Sequence, residues 1–219
     1  MNKLTSFEIS QNKDQFINLL MSTKRANIDA LISWLEEKSD FFRAPSSTIF
    51  HGNYEGGLCQ HSLNVYHALN QLVTMTKESA LPEKSQSIAD ESIIISSLLH
   101  DLCKTNFYKS EIKVFKDDAT GTWRHYSTYV CDDKFPLGHG EKSVIMIQNF
   151  IKLTGDEIVA IRWHMGLADP GTFISPYNKY AYSTATKESS LTVLLQLADY
   201  YASYMMEYTC DQKKENLID

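Results

Sequence analysis

The sequence predicts an all-α domain carrying one small β-hairpin. Three observations lead there. Apolar residues recur at three- and four-residue spacings over most of the chain, which is the helical period. Turn-forming and helix-breaking residues fall between those stretches and not inside them. A single stretch, 109–130, is instead rich in β-branched and aromatic residues around a turn. No repeat, low-complexity tract or Pro/Gly-rich linker divides the 219 residues, a length that suits one domain.

The elements follow in order. Residues 14–38 read as helix, with Phe16, Leu19, Leu20, Ile28, Leu31, Ile32 and Leu35 on one or two apolar faces. "RAPSSTIFHGNYEGG" (43–57) is a loop, broken by Pro45 and the pair Gly56-Gly57. Helices are expected over 58–77, 88–104 and 141–153. "TGDEIVAIRWHMG" (154–166) is a short helix, capped by Thr154 or Asp156 and stopped by Gly166. A last long helix is expected from 188 to 208. The hairpin at 109–130 turns at "DDATG", and "CDQKKENLID" at the end reads as a frayed tail.

Composition limits function without naming it. A hydrophobic fraction of 43% and a charged fraction of 22% are those of an ordinary soluble globule. "MNKLTSFEIS" lacks the apolar core of a signal peptide, and no run approaches a membrane span. Cys59, Cys103, Cys131 and Cys210 are scattered, which suits reduced thiols in a cytoplasm. A formal charge of −6 argues against broad, nonspecific binding of nucleic acid.

Within "SSLLHDLCKT" (96–105), the most hydrophobic part of the chain carries His100, Asp101 and Lys104. Buried charge is costly unless paired or bound to metal. On a continuous helix Ser97, His100, Asp101 and Lys104 form one stripe at i, i+3, i+4 and i+7. His61 opens the helix after the Gly-Gly loop, and His139 sits between glycines in "PLGHGEKS" at the mouth of another. His164 lies in the last turn of its short helix. Asp199 interrupts the apolar "LLQLADYYAS". Singly, each has a structural explanation as a helix cap, a loop residue or an acceptor of backbone N–H groups. Together they are nitrogen and carboxylate donors without a thiolate. That set suits iron, manganese, zinc, cobalt or nickel over a structural Cys-type zinc.

The order His61, then His100-Asp101, then Asp199, carried by "GGLCQHSLNV", "SSLLHDLCK" and "LLQLADYYAS", resembles the HD superfamily of metal-dependent phosphohydrolases. The resemblance implies an all-α bundle with its metal-binding core over residues 50–205, a helical extension over 1–45 and the hairpin as an insertion. It implies one ion held by His61, His100, Asp101 and Asp199. His139 and His164 match the two-metal branch, in which they would hold a second ion bridged to the first by Asp101. The loop "HGNYEGGLCQH" is similar to that of HD domains in some exoribonucleases and relaxase-associated proteins. The acidic pair of the mononuclear nucleotidases and the Gly-Tyr-Pro signature of the cyclic-dinucleotide branch are not present in the sequence.

On that resemblance, two divalent ions, iron or manganese before zinc, cobalt or nickel, would activate water against a phosphomonoester or phosphodiester. Asp101 and Lys104 would be the catalytic residues, Lys104 as a phosphate contact. The partner would be a small phosphorylated substrate, a nucleotide or a short oligonucleotide, and neither a membrane nor long nucleic acid. His51 and Lys142, with Glu141 beside it, are candidates for a supporting or phosphate-binding role, and Tyr126 and Tyr129 for stacking on a base. His67 and His125 are left out. Two alternatives stay open: a di-iron oxygenase similar to myo-inositol oxygenase, and a metal-binding module without catalysis.

Overall fold

Two helices, where the sequence reading expects one over 14–38, open the chain. The computed structural model describes residues 3–78, 88–169, 172, 174–207 and 209–218. Helix α1 (Ser6–Ser22) starts well before residue 14 because Thr5 and Glu8 form a capping box, with Thr5 N donating to Glu8 Oε2 at 2.7 Å. It ends where the apolar period lapses between Leu20 and Ile28. Lys24 and Asn27 there take positive φ, which stops one helix and lets α2 (Ile28–Glu37) start in a new direction.

Helix α3 (Gly57–Glu78) and helix α4 (Asp90–Leu99) pack side by side, and α3 also packs along α8 (Ser190–Tyr201). Helix α5 (His139–Gln148) lies on α6 (Gly155–Trp163), which in turn lies on α8. Thr154, not Asp156, caps α6, in a capping box with Glu157. One continuous core joins these helices: Phe16, Leu20, Leu31, Leu58, Leu69, Ile95, Leu98, Ile147, Ile161 and Leu195 are all buried. Phe16 sits on Phe41, ring centroids 4.9 Å apart, and meets Phe42 edge-on at 5.5 Å, which clamps α1 to the loop before α3.

Three further expectations need correction. The helix predicted over 88–104 stops at Leu99, and the chain passes through His100 and Asp101 into a 3₁₀ turn, Leu102–Lys104. The i, i+3, i+4, i+7 stripe therefore does not form. Ser97 turns its hydroxyl back to Ile93 O (2.6 Å) instead of toward a polar partner. Helix α7 (Pro176–Glu188) has no counterpart in the sequence reading, because among its residues only Ala185 is buried and no apolar period marks it. Its start is written in Ser175, which caps Asn178 N (3.0 Å), and in Pro176 at the first helical position. Helix α8 ends at Tyr201 and continues as a π turn, Ala202–Met206; the predicted end at Tyr208 lies outside the described residues.

The hairpin forms as expected. Strands β1 (Tyr108–Lys116) and β2 (Trp123–Cys131) pair antiparallel from Tyr108↔Cys131 to Lys116↔Trp123. Gly121 takes φ +70° in the turn between them. The tail is not frayed. After a short helix α9 (Gln212–Glu215), strand β3 (Leu217–Ile218) adds to the free edge of β2 through His125↔Ile218 and Tyr126↔Leu217. Asn53 ties the segment down, accepting from Cys210 N (2.6 Å) and donating to Cys210 O (3.0 Å). The tail's polar composition hides this because its anchors are hydrogen bonds and not apolar burial. Among the described residues no helix is long and apolar enough to cross a membrane, and all four cysteines are free thiols.

Candidate metal centre

Helix ends bring the predicted ligands together. His61 stands one turn into α3, which starts tightly against the preceding loop: a Cβ at Gly57 would collide with the carbonyl of Gly52. His100 caps the end of α4 and Asp101 follows it. His139 is the first residue of α5, and His164 caps the end of α6. A Cβ at Gly140 would strike the carbonyl of Arg162, so this glycine lets α5 touch the last turn of α6 and sets His139 beside His164. Asp199 comes from the last turn of α8.

Asp101 is the hub. Its Oδ1 lies 2.6 Å from His139 Nε2 and 3.6 Å from His164 Nε2. Its Oδ2 lies 3.4 Å from His61 Nε2, 3.5 Å from His100 Nε2 and 2.7 Å from Lys104 Nζ. Asp199 Oδ1 is 3.3 Å from His61 Nε2 and accepts from the Ser203 hydroxyl at 3.3 Å. Donor atoms within 4.8 Å of one another form four overlapping trios: His61, His100 and Asp101; His100, His164 and Asp199; Asp101, His139 and His164; and, on the outer side of His61, His51, His61 and Glu207. These buried clusters could hold metal ions, and each Asp101 oxygen faces a different pair of histidines.

The outer ring nitrogens decide which way the inner ones behave. His100 Nδ1 donates to Ser97 O (2.8 Å) and His164 Nδ1 to Ile161 O (2.7 Å), since a carbonyl can only accept. The proton is thereby placed on Nδ1, and in the neutral rings Nε2 presents a bare lone pair to the centre. His61 Nδ1 lies 2.9 Å from Glu207 Oε1, and His139 Nδ1 lies 3.2 Å from Cys103 Sγ. Orientation of the ligating ring through its other nitrogen is how protein metal sites hold histidines. One further observation fits an ion: His164 Nε2 is buried without a hydrogen bond.

Charge in the centre is large and nearly all buried. Burial resists ionisation of Asp101, yet Lys104, His100 and His139 hold it well below the usual carboxylate range. Asp199 is lowered against burial by His61 first of all, and Glu207 likewise by His61. Burial opposes charge on His61, but Glu207, Asp101 and Asp199 raise it well above the ordinary imidazole value. His139 is raised to about 10, where burial is outweighed by Cys103 and Asp101. His164 is pushed down, by burial first. The surrounding carboxylates thus favour positive charge on His61 and His139, and a metal bound by these rings would compete with their protons.

The remaining predicted site residues divide. Lys104 is at the centre, ion-paired with Asp101 and raised by it against the cost of burial. His51 is beside it: its ring is 5.0 Å from that of His61, its Nε2 is 3.4 Å from Ser203 Oγ, and burial lowers it to about 4. Lys142 is not in the centre. It pairs with Asp133 (2.5 Å) and lies over the Phe107 ring, while Glu141 pairs with Arg162. Tyr126 and Tyr129 line a separate groove with Asn53, Cys210 and Gln212, because β3 and the tail close over that part of β2. His67 contacts Gln15 on the surface, and His125 sits in the sheet.

Glu207 and Cys103 were missed by sequence reasoning. Glu207 lies just past a helix end among exposed tyrosines and methionines, a setting with no signal of its own. Cys103 was legible only as the neighbour of Lys104. Comparison with protein-family models, with curated proteins and with solved structures gives no match.

Proposed function

We propose that the chain is a metal-dependent phosphohydrolase of HD type, acting on a phosphomonoester or phosphodiester of a nucleotide-like substrate. One observation carries the reading: four histidine Nε2 atoms and the two oxygens of Asp101 converge, with every Nδ1 engaged by an outer partner. His61, His100, Asp101 and Asp199 would hold one ion, and Asp101, His139 and His164 a second. Divalent iron or manganese there would lower the pKa of water and offset phosphoryl charge in the transition state.

The chain's own groups supply the rest. The side chains at the centre that reach solvent are His139 (24% exposed), Lys104 (13%) and Asp199 (11%), so substrate meets the site along that rim. Lys104 offers an ammonium on the Asp101 side of the rim, where it would bind a phosphoryl oxygen and hold it in place. Burial of the other ligands excludes water and strengthens these interactions. A net charge of −6 favours a small nucleotide or short oligonucleotide, because a long polyanion would meet repulsion away from the site.

The test is a panel of nucleotides, cyclic nucleotides and short oligonucleotides, assayed with Mn²⁺ or Fe²⁺ for ester cleavage and for dioxygen uptake. Elemental analysis should find up to two ions per chain, and chelator should abolish cleavage. Dioxygen-dependent turnover without ester cleavage would assign the chain to the oxygenase alternative. Bound metal with neither reaction would leave a binding module.

Lys104→Met should lower turnover by roughly 10²–10³-fold, the scale of losing one charge-stabilising donor, with metal content unchanged. Metal lost along with activity would show that Lys104 serves Asp101 and not the phosphate.

A further inference from the structure

His61 is held differently from the other histidines of the centre. His100 and His164 lodge their Nδ1 protons on carbonyls of their own helices, three residues back. His61 instead meets the carboxylate of Glu207, 146 positions away in the chain. That carboxylate is 1% exposed, its Oε1 also accepts from Asn64 Nδ2 (3.2 Å), and its Oε2 is buried without a hydrogen-bond partner. A buried carboxylate with an unsatisfied oxygen is costly, so its place against His61 calls for an explanation.

The backbone that delivers it is also unusual. Residue 207 stands eight positions beyond Asp199, which on a continued α-helix would be about 80° away from it around the axis. The chain instead runs through the π turn Ala202–Met206, and Glu207 then becomes extended at φ −112° and ψ 150°. A π turn, bonded i to i+5, advances less per residue than an α turn and lets the chain lag. Position 207 is so brought back toward the side of Asp199 and Ser203, onto His61. The His51 ring covers His61 5.0 Å away.

We propose that Glu207 is a positioning residue: it fixes the His61 ring through Nδ1–H so that Nε2 points at Asp101 and Asp199, and the π turn serves to place it. The claim rests on the metal-centre reading above. It concerns how tightly the first ion is held.

The experiment compares wild type with Glu207→Gln, Glu207→Ala and Glu207→Leu. The Leu variant is an apolar replacement of similar volume that keeps the claim testable if Ala does not fold. Metal-free protein is titrated with Mn²⁺ alone, and the His61 Nδ1–H is followed by ¹H–¹⁵N spectroscopy of the metal-free protein. Ala and Leu should weaken Mn²⁺ binding 10–100-fold and lose the slowly exchanging Nδ1–H signal. Gln, whose amide oxygen still accepts that proton, should keep the signal and most of the affinity. Wild-type Mn²⁺ affinity in Ala or Leu, or Gln as damaged as Ala, would overturn the proposal. Should wild type itself bind no Mn²⁺, the metal reading fails separately. The Nδ1–H signal then decides: persistence in Glu207→Leu overturns the positioning role, and its loss supports it.

Discussion

If the chain is the metal-dependent phosphohydrolase proposed above, Asp101→Ala is expected to remove metal from both halves of the centre and to lower ester cleavage by at least about 10³-fold, more than the loss of any single charge-stabilising donor. The geometry gives the reason: Oδ1 serves His139 and His164, and Oδ2 serves His61 and His100. His164→Ala should behave differently. It leaves His61, His100, Asp101 and Asp199 in place, so one ion per chain should persist while the other is lost. Elemental analysis of the two variants separates these outcomes, and equal metal loss would defeat the bridging role of Asp101. Asp101→Ala also strips Lys104 and His139 of their buried counter-charge, at a cost of about 3–5 kcal/mol. Asp101→Asn, which keeps the shape, should lose metal with less damage to the fold.

The largest effect on stability away from the centre should come from Glu157. Its carboxylate is fully buried and binds Arg25 in a fork, Nη1 to Oε2 at 3.0 Å and Nη2 to Oε1 at 2.7 Å. It also accepts from Ser92 Oγ (2.8 Å) and Thr154 N (2.8 Å). The turn between α1 and α2, the start of α4 and the start of α6 are tied together there. Glu157→Ala takes the forked carboxylate from Arg25, which keeps only Lys152 O and the partly exposed Glu91, and leaves the Ser92 hydroxyl and the Thr154 amide without this acceptor. It should cost about 3 kcal/mol in denaturant melts at neutral pH. A loss under about 1 kcal/mol would show that water replaces the carboxylate without cost.

The pH dependence of this network has a definite sign. Burial raises the Glu157 carboxyl, but Arg25, the Thr154 amide and Ser92 hold it below its ordinary 4.5. Its contribution is therefore present above about pH 4.5 and is lost as pH falls through the lowered value. The stability difference between wild type and Glu157→Gln should shrink in that acid range. A difference that stays constant to pH 3 would contradict the lowered carboxyl. Taking the difference removes the parallel acid sensitivity of Asp101, Asp199 and Glu207.

Much of this molecule is legible in residue order. The helical class, the hairpin and its turn, and the Thr154 cap follow from periodicity and local hydrogen bonding, which depend only on near neighbours. His61, His100, Asp101, His139, His164 and Asp199 could be nominated because ionisable groups amid apolar or glycine-flanked segments are costly without partners. The same reasoning misjudged the continuous helix over 88–104: composition marks which residues are buried but not where a helix yields to a 3₁₀ turn. It also nominated Lys142, Tyr126 and Tyr129 on proximity in sequence or on residue type. The fold commits them instead to Asp133 and to the groove beneath the tail.

By itself, then, the sequence determined the mainly helical architecture, the hairpin and the set of nitrogen and oxygen donors, because those depend on short-range periodicity and on the cost of burying charge. The tertiary structure decided the rest. It joined the ends of α3, α4, α5 and α6 around the two oxygens of Asp101, returned Glu207 to His61 across 146 positions, and pinned the polar tail to β2. Those arrangements come from long-range contacts, in which each partner is satisfied by a residue far along the chain. No local window of sequence carries that information.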